Sequence, residues 1–219
     1  MLSQILKVLQ TRPLFLFQYV RTRFLFQRTR FLIHVLKAIG FYPKHIYLGP
    51  QTQIQRLRCV RNEEPNASIT LGERCTVYEF AQIEAYGSGK IQIGNHSIIG
   101  DTRIYSRASI IIGQRFLSSW NTFIQDFDPH PLHPQLRRQQ VEQMCGLSST
   151  PFNWTFPTAS ITLGDDIWMG ANSTILKGAQ IESGCIIAAN SVVVAGHYPK
   201  NSVLAGSPAK VIKTIEQAL

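Results

Sequence analysis

The chain has 219 residues, and its hydrophobic fraction of 44% is enough to fill the core of one sizeable domain. Its net charge is +9, and the positive charge lies at the N-terminus. Segment 1–62 contains eleven of the 22 Lys and Arg residues and no acidic residue, whereas the remainder carries eleven basic and thirteen acidic residues. Basic residues interrupt every apolar run of that segment before the roughly 18 residues of a membrane span, which argues against a transmembrane helix and a secretory signal.

The N-terminal segment 1–62 is predicted to be basic and helical. Up to about residue 45, apolar side chains such as Phe24, Phe31 and Val35 recur at roughly helical spacing. A basic amphipathic helix either lies on an anionic membrane face or caps the domain that follows it. We expect both, in a cytoplasmic protein that contacts the inner membrane peripherally through residues 1–45, and we expect no nucleic-acid partner.

The main body, 63–202, is marked by a six-residue period. Apolar side chains stand six apart without a slip at Leu163, Met169, Ile175, Ile181, Ile187 and Val193. The same period, with shifts of frame, runs through Leu71, Val77 and Ile83, through Ile93, Ile99 and Tyr105, and through Ile112, Ser118 and Ile124. Neither a helix nor a plain hairpin has this period, whereas short strands joined by tight turns do, three strands making one triangular coil. The period predicts a mainly β fold of stacked coils.

Two segments interrupt or follow the coil. The period disappears after Ile124, and the excursion 125–160 is rich in proline, arginine and glutamine. Loops of this length inside a compact domain are usually functional or disordered. The C-terminal tail 203–219 is predicted to end in a short capping helix over 214–218.

Three stretches carry a resemblance to a known family. They are L-G-D-D-I-W-M-G-A-N at 163–172, N-S-V-L-A-G-S-P-A-K-V-I at 201–212, and Asn121 followed by D-F-D-P-H-P-L at 126–132. In this order they resemble the hexapeptide-repeat O-acetyltransferases, in the branch of the galactoside and maltose enzymes. The resemblance implies a left-handed parallel β-helix, acetyl-CoA as co-substrate, and a homotrimer whose sites are each completed by an adjacent subunit.

By motif position, the resemblance assigns His130 as the catalytic base. Acyl transfer to a hydroxyl group needs a base that removes the proton as oxygen attacks, and a neutral imidazole serves near neutral pH. Asp126 or Asp128 would orient the imidazole and stabilise its protonated form. Which of the two does so is open, and either could instead cap a turn.

The acceptor is expected to be a saccharide hydroxyl, in a nucleotide sugar or a glycan precursor. Asn121 matches a family asparagine that holds the acceptor sugar, and an amide both donates to and accepts from hydroxyl groups. An equally good interpretation is a corner asparagine stacked in the coil. Trp168 matches the tryptophan beside the substrate channel, and packing at a subunit seam is compatible with that role.

For coenzyme A, the resemblance implies a groove between neighbouring coils. The pantetheine arm would pair with backbone groups near Gly170, Ala188 and Gly206. Lys210 of the P-A-K stretch would bind the nucleotide phosphates. Many relatives carry a Thr-Lys pair where this chain has A-G-H at 195–197, so a second phosphate contact is either missing or supplied by Lys200 or Lys213.

Two alternatives come from other classes. A γ-class carbonic anhydrase shares the coil and binds zinc through three histidines, for which His96, His130 and His133 could be proposed. The cysteines form no C-x-x-C pair, and we expect reduced thiols and no metal. A non-catalytic scaffold is the better rival, but it has no use for the loop with the D-x-D-x-H-P-L sequence.

Overall fold

The structure is a computed structural model that describes residues 13–38, 43, 45–62 and 64–216. Helix α1 covers Pro13–Ala38 and helix α2 covers Pro134–Met144, and a 3₁₀ turn lies at Leu57–Cys59. All other regular structure in these residues is β, in short strands that belong to three sheets.

The strands follow one another around three sides of a coil. Sheet A contains β1 Ile46–Leu48, β4 Ser68–Leu71, β7 Lys90–Ile93, β10 Ser109–Ile112, β13 Ile161–Leu163, β16 Ala179–Ile181 and β19 Gly196–Tyr198. Sheet B contains β2 Gln53–Ile54, β5 Thr76–Val77, β8 Ile98–Ile99, β11 Leu117–Ser118, β14 Trp168–Met169, β17 Ile186–Ile187, β20 Ser202–Gly206 and β21 Ala209–Thr214. Sheet C contains β3 Val60–Asn62, β6 Gln82–Ala85, β9 Thr102–Ser106, β12 Thr122–Gln125, β15 Thr174–Leu176 and β18 Val192–Val193.

Each coil visits the three sheets in turn. Six coils are complete, from β1, β2 and β3 in the first to β16, β17 and β18 in the sixth. The seventh consists of β19 and β20, after which β21 folds back antiparallel onto β20. Within each sheet, strands of neighbouring coils pair in parallel, and the predicted left-handed parallel β-helix is confirmed.

The narrow interior of the coil explains the six-residue period. Alternate side chains of a strand point inward, and in-register pairing places Met169 beside Ile187 and Ile112 beside Leu163 in adjacent coils. Met169, Ile175 and Ile187 are completely buried. The row of residues six apart predicted from Leu163 onward is therefore confirmed as the core of the coil.

One predicted inward position is wrong. The six-residue frame places Tyr105 inside, but Ile104 is the buried residue, because the turn after Ile99 is one residue shorter than the period requires. Tyr105 lies outside the coil, where its ring packs edge-on against the rings of Tyr86 and Phe123 at centroid distances of 6.2 and 5.8 Å.

The coil starts earlier than the sequence boundary at residue 63. β1 begins at Ile46, so the first coil lies within the segment predicted to be helical, while helix α1 covers the part of that segment before Ala38. Helix α1 packs on the coil: the buried Thr29 Oγ1 donates to the Gln55 carbonyl at 2.7 Å. The helix therefore covers the side of the first coils.

The apolar side chains that suggested this helix do not make that contact. Phe24, Phe31 and Val35 are 61%, 72% and 36% exposed. The membrane contact of residues 1–45 stays a prediction, and these three exposed apolar side chains are compatible with it. In the part of the chain that the structure describes, no helix is long and apolar enough to cross a membrane.

The predicted C-terminal helix is wrong for the described residues. Thr214 is the last residue of β21, and residues 215 and 216 have no regular structure. The backbone here pairs with β20 instead of with itself, because β20 still offers unpaired groups on its outer side. Residues 217–219 lie outside the described residues.

Candidate active site

The excursion leaves the coil through a buried aspartate. Asp126, which follows β12 directly, is completely buried. Its carboxylate accepts hydrogen bonds from Ser106 Oγ at 2.6 Å and from the backbone N–H groups of Arg107 and Ala108 at 2.8 and 3.1 Å. With three donors around it, this carboxylate fixes the turn between β9 and β10 to the start of the excursion.

The two ends of the excursion are held together by aromatic packing on one guanidinium. Arg107 lies 3.8 Å from the ring centroid of Phe156 and 5.4 Å from that of Phe127. The two rings meet edge-on at 5.9 Å, and backbone hydrogen bonds join Asp128 to Pro157 and Ala159 to Asp126. The excursion therefore has a narrow, fixed base, which limits the movement of the residues just beyond it.

His130 lies just beyond this base and is bonded to helix α2. Its Nδ1 lies 2.9 Å from Oε1 of Gln140, while Nε2 of Gln140 donates to the Pro129 carbonyl at 3.3 Å. Arg137 donates to the carbonyl groups of Pro131 and Leu132, at 2.9 and 3.0 Å. Helix α2 thus holds the histidine segment at two points.

Neither predicted aspartate orients His130 in this structure. Asp126 is bonded within the coil, and Asp128 forms an ion pair with Lys177 at 3.3 Å. The orienting group is Gln140, which the sequence analysis did not single out. No sequence spacing links residues 130 and 140, because only the fold of the excursion brings them together.

The predicted acceptor residues lie at the corner between sheets B and C. Asn121 has a φ of 53°, and its amide Nδ2 donates to Asn172 Oδ1, one coil further along, at 2.9 Å. This is the stacked corner asparagine that the sequence analysis left open. Trp168 lies on the outer face of β14, 46% exposed, and its Nε1 donates to Ser119 Oγ at 3.3 Å.

The histidine and the acceptor residues lie at different corners of the same chain. Asn121 precedes β12, whereas the excursion that carries His130 follows β12. The two therefore lie at opposite ends of one strand. The fold brings Asn121 and Trp168 to the same corner. It places His130 of the same chain at a different corner.

The residues predicted to hold coenzyme A form a row over three coils. Gly170 follows β14, Ala188 follows β17, and Gly206 is the last residue of β20. The N–H groups of Gly170 and Ala188 donate to carbonyl groups of the next coil, both at 2.8 Å, and that of Gly206 donates to Ser191 Oγ at 3.2 Å. These amides are already bonded, and Gly170 is buried, so a ligand would contact the surfaces of Ala188 and Gly206 rather than the N–H groups of the row.

The two candidate lysines occupy opposite ends of β20. Lys210 is exposed on β21 and pairs in register with Ala205, next to Gly206. Lys200 precedes β20 and donates its backbone N–H to Glu182 at 2.9 Å. That bond, followed by the bond from His197, lowers the pKa of Glu182. Lys210 is the lysine placed beside the row, and Lys200 is not.

The histidines of the zinc alternative lie in different settings. His96 occupies a coil corner with its Nε2 3.9 Å from Glu73, and His133 is the N-cap residue of α2. Among the residues that the structure describes, no group of three or more His, Cys, Asp or Glu side chains could hold a metal ion.

Comparison with known proteins identifies similar chains. No family model matches. A relative named as a lipopolysaccharide biosynthesis O-acetyl transferase, WbbJ of Escherichia coli K12, is 32% identical over 163 residues, which cover 74% of this chain and 78% of the relative. An acetyltransferase by name, YJL218W of Saccharomyces cerevisiae, is 32% identical over 131 residues, covering 57% of this chain and 59% of its own.

Solved structures share the fold. A single-site mutant of AntD, an N-acyltransferase from Bacillus cereus in complex with dTDP and coenzyme A, superimposes with a TM-score of 0.60. The match covers 84% of this chain and 89% of AntD at 21% sequence identity. AntD with dTDP and 3-hydroxybutyryl-CoA gives a TM-score of 0.57.

The bonding of Asp126 predicts a structural role that can be measured. Asp126→Asn replaces a buried acceptor by a donor that faces another donor, so we expect the free energy of unfolding to fall by about 1–3 kcal/mol. Urea unfolding followed by circular dichroism measures it. The matched variant Asp128→Asn removes a partly exposed ion pair and should cost less than about 1 kcal/mol. Equal losses in both variants would contradict the assignment.

Proposed function

The chain belongs to the hexapeptide-repeat acetyltransferases, and we propose that it transfers the acetyl group of acetyl-CoA to a hydroxyl group of a saccharide, nucleotide sugar or glycan precursor. The observation that carries the proposal is the presentation of His130 by a fixed excursion, with one ring nitrogen bonded and the other without a partner among the residues that the structure describes. The names of the relatives support the acceptor class, since one refers to lipopolysaccharide biosynthesis and the AntD structure contains dTDP.

Gln140 sets the tautomer of the histidine. Because its Nε2 donates to the Pro129 carbonyl, its Oε1 faces the imidazole and can only accept a hydrogen bond. Nδ1 of His130 must then carry the proton. The lone pair lies on Nε2, which has no partner among the described residues and is the atom available as a base.

His130 Nε2 then carries the proton through the reaction. The thioester supplies an activated acetyl group to the attacking hydroxyl oxygen. As the oxygen–carbon bond forms, Nε2 takes the hydroxyl proton, and it returns that proton to sulfur as the carbon–sulfur bond breaks. The products are an acetyl ester and the free thiol, and the histidine ends in its starting state.

The row of small residues on sheet B is the proposed site of acetyl-CoA. Gly170, Ala188 and Gly206 form a strip at the ends of three consecutive strands of sheet B, in which Gly170 is buried, Ala188 is half-buried and Gly206 is exposed, with Lys210 beside its last member. Lys210 has no acidic partner among the residues that the structure describes, so its ammonium group is available to a phosphate. We assign the pantetheine arm to the strip and the nucleotide phosphates to Lys210.

Loss of the base should be visible in thiol release. With acetyl-CoA and a panel of sugars and nucleotide sugars, we expect turnover with at least one acceptor and a fall of roughly a hundred- to ten-thousandfold in His130→Ala. His133→Ala, in the same excursion, is the matched control and should keep most of the rate. If no acceptor gives turnover and coenzyme A does not bind, the result would favour the alternative that the protein is a non-catalytic scaffold.

A second variant tests the tautomer assignment. Gln140→Glu places a carboxylate beside Nδ1, which favours the protonated imidazole, so the acidic limb of the kcat/KM profile should move to higher pH. Gln139→Glu adds the same charge at the exposed neighbouring position and should leave the limb in place. A kcat/KM profile that shifts equally in the two variants would show a general effect of charge and would refute the role of Gln140.

The position of His130 favours a site shared between subunits. Helix α2 buries none of its residues on its own chain, and Leu136, Val141 and Met144 are 38%, 51% and 72% exposed. An excursion with exposed apolar residues fits a protein interface better than free solvent. We therefore propose a homotrimer in which His130 of one subunit meets the corner of Asn121 and Trp168 in the next.

Mixing inactive variants tests the shared site. His130→Ala disables the excursion, whereas Asn121→Ala combined with Trp168→Ala disables the corner. Trimers assembled from an equal mixture should regain about one quarter of the wild-type rate, because one interface in four then pairs an intact histidine with an intact corner. Sites contained in a single chain would regain nothing, which would refute the proposal.

A further inference from the structure

An 880 Å³ groove runs along the corner between sheets B and C, below Trp168. Its floor is the outer face of Ile98 and Leu117, and its upper end is formed by Ser119 and Trp120. Ser119 accepts the hydrogen bond from Trp168 Nε1, so the groove continues from the predicted acceptor corner. Its size is within the range of small-molecule sites.

Helix α1 forms one wall of the groove and is held there by charge and packing. Arg21 donates from Nη2 to both carboxylate oxygens of Glu79, at 3.2 Å each. Phe26 packs edge-on against Tyr78 at 6.3 Å. Leu25 faces the groove beside Arg21. The basic N-terminal helix therefore shapes a site as well as covering the coil.

Two largely exposed aromatic side chains line the groove. Trp120 is 77% exposed and Phe80 is 62% exposed. Covering the exposed part of such a ring is favourable, and the flat apolar face of a sugar ring is a suitable partner for it. The aromatic lining therefore favours a ligand with both apolar faces and polar edges.

The charges in the groove favour neutral ligands, because both nearby guanidinium groups are already paired and one carboxylate is not. Asp101 is partly buried, and among the residues that the structure describes its carboxylate has no hydrogen-bond or ionic partner. Glu79 is the second carboxylate in the lining, and among the described residues it is paired with two guanidinium groups, Arg21 of the lining and Arg56 beside it. An unpaired carboxylate binds hydroxyl or ammonium donors and repels phosphate.

We propose that this groove binds neutral sugar units of an oligosaccharide acceptor, next to the unit that is acetylated. The proposal rests on the proposed function and narrows its acceptor from nucleotide sugars to glycans. The lining extends from Trp120 in the fourth coil to Gln55 in the first, roughly 14 Å at the spacing of paired strands, which is room for more than one ring. Trp120 would stack on a ring, and Asp101 would accept from its hydroxyl groups.

Binding can be measured without turnover. The probes are neutral di- and trisaccharides of glucose, galactose, mannose, rhamnose and N-acetylglucosamine, with dTDP-glucose as the anionic comparison, titrated into the full chain by tryptophan fluorescence and calorimetry. We expect at least one neutral oligosaccharide to bind, and Asp101→Asn to weaken it roughly ten- to a hundredfold. Trp120→Ala should weaken it at least as much. Tyr47→Ala, which removes an aromatic side chain on sheet A that is 59% exposed, should not.

Four results would each refute the proposal that this groove binds neutral sugar units. Two concern the oligosaccharides: none of them binds, or one binds equally well to both variants. The other two are tighter binding of dTDP-glucose and shielding of Trp120 from acrylamide by a neighbouring subunit. Transfer to a monosaccharide that depends on His130 but shows no gain with longer acceptors would remove the groove and leave the proposed function standing. Oligosaccharide binding that depends on Trp120 and Asp101, without any acetyl transfer, would support the groove and refute the proposed function.

Discussion

Parallel pairing of each strand with the strand one coil away is the interaction on which the rest of this structure depends. The pairing directs every backbone donor and acceptor along the axis of the coil, so a side chain can point only inward or outward. Corners must then turn within one or two residues. At the corner between sheets A and B, Arg74, His96, Arg115 and Asp166 all take positive φ, directly above one another. Rows of equivalent residues follow from this repetition.

The same pairing explains where an insertion can be made. The excursion lies between β12 and β13, yet β10 pairs with β13 in the register Ile110 to Ile161, as if the intervening residues were absent. An insertion at a corner removes no hydrogen bond from the ladder. A long loop can therefore be inserted into the coil without weakening it, provided that the insertion is closed at its base, as it is around Arg107.

Much of the fold could be predicted because the coil repeats. A narrow interior demands an apolar residue at each sixth position, and the chain from Leu163 to Val193 obeys that demand. The period misplaced Tyr105, because a turn shortened by one residue leaves no mark in the composition. The period also does not predict β21. The sequence of the tail by itself resembles a helix, and its pairing with β20 depends on the completed coil.

The site was less predictable than the fold because its groups come from different parts of the chain. The motif pointed to His130, but a motif lists neighbours in sequence, and the group bonded to the imidazole, Gln140, comes from helix α2. Asp126 shows the converse, since a residue in the motif proved to be bonded within the coil. Burial and bonding, which decide such roles, depend on contacts across coils.

The reversed direction of β21 has a consequence for the molecule in solution. A stack of parallel strands has no natural end, and its last coil is an open template on which further chains could add and grow into a fibre. β21 occupies that template on sheet B in the antiparallel sense and carries Lys210 and Lys213 outward. Charged lysines on an outermost strand oppose further addition. The strand that carries Lys210 beside Gly206 thus also opposes the addition of further strands on that side.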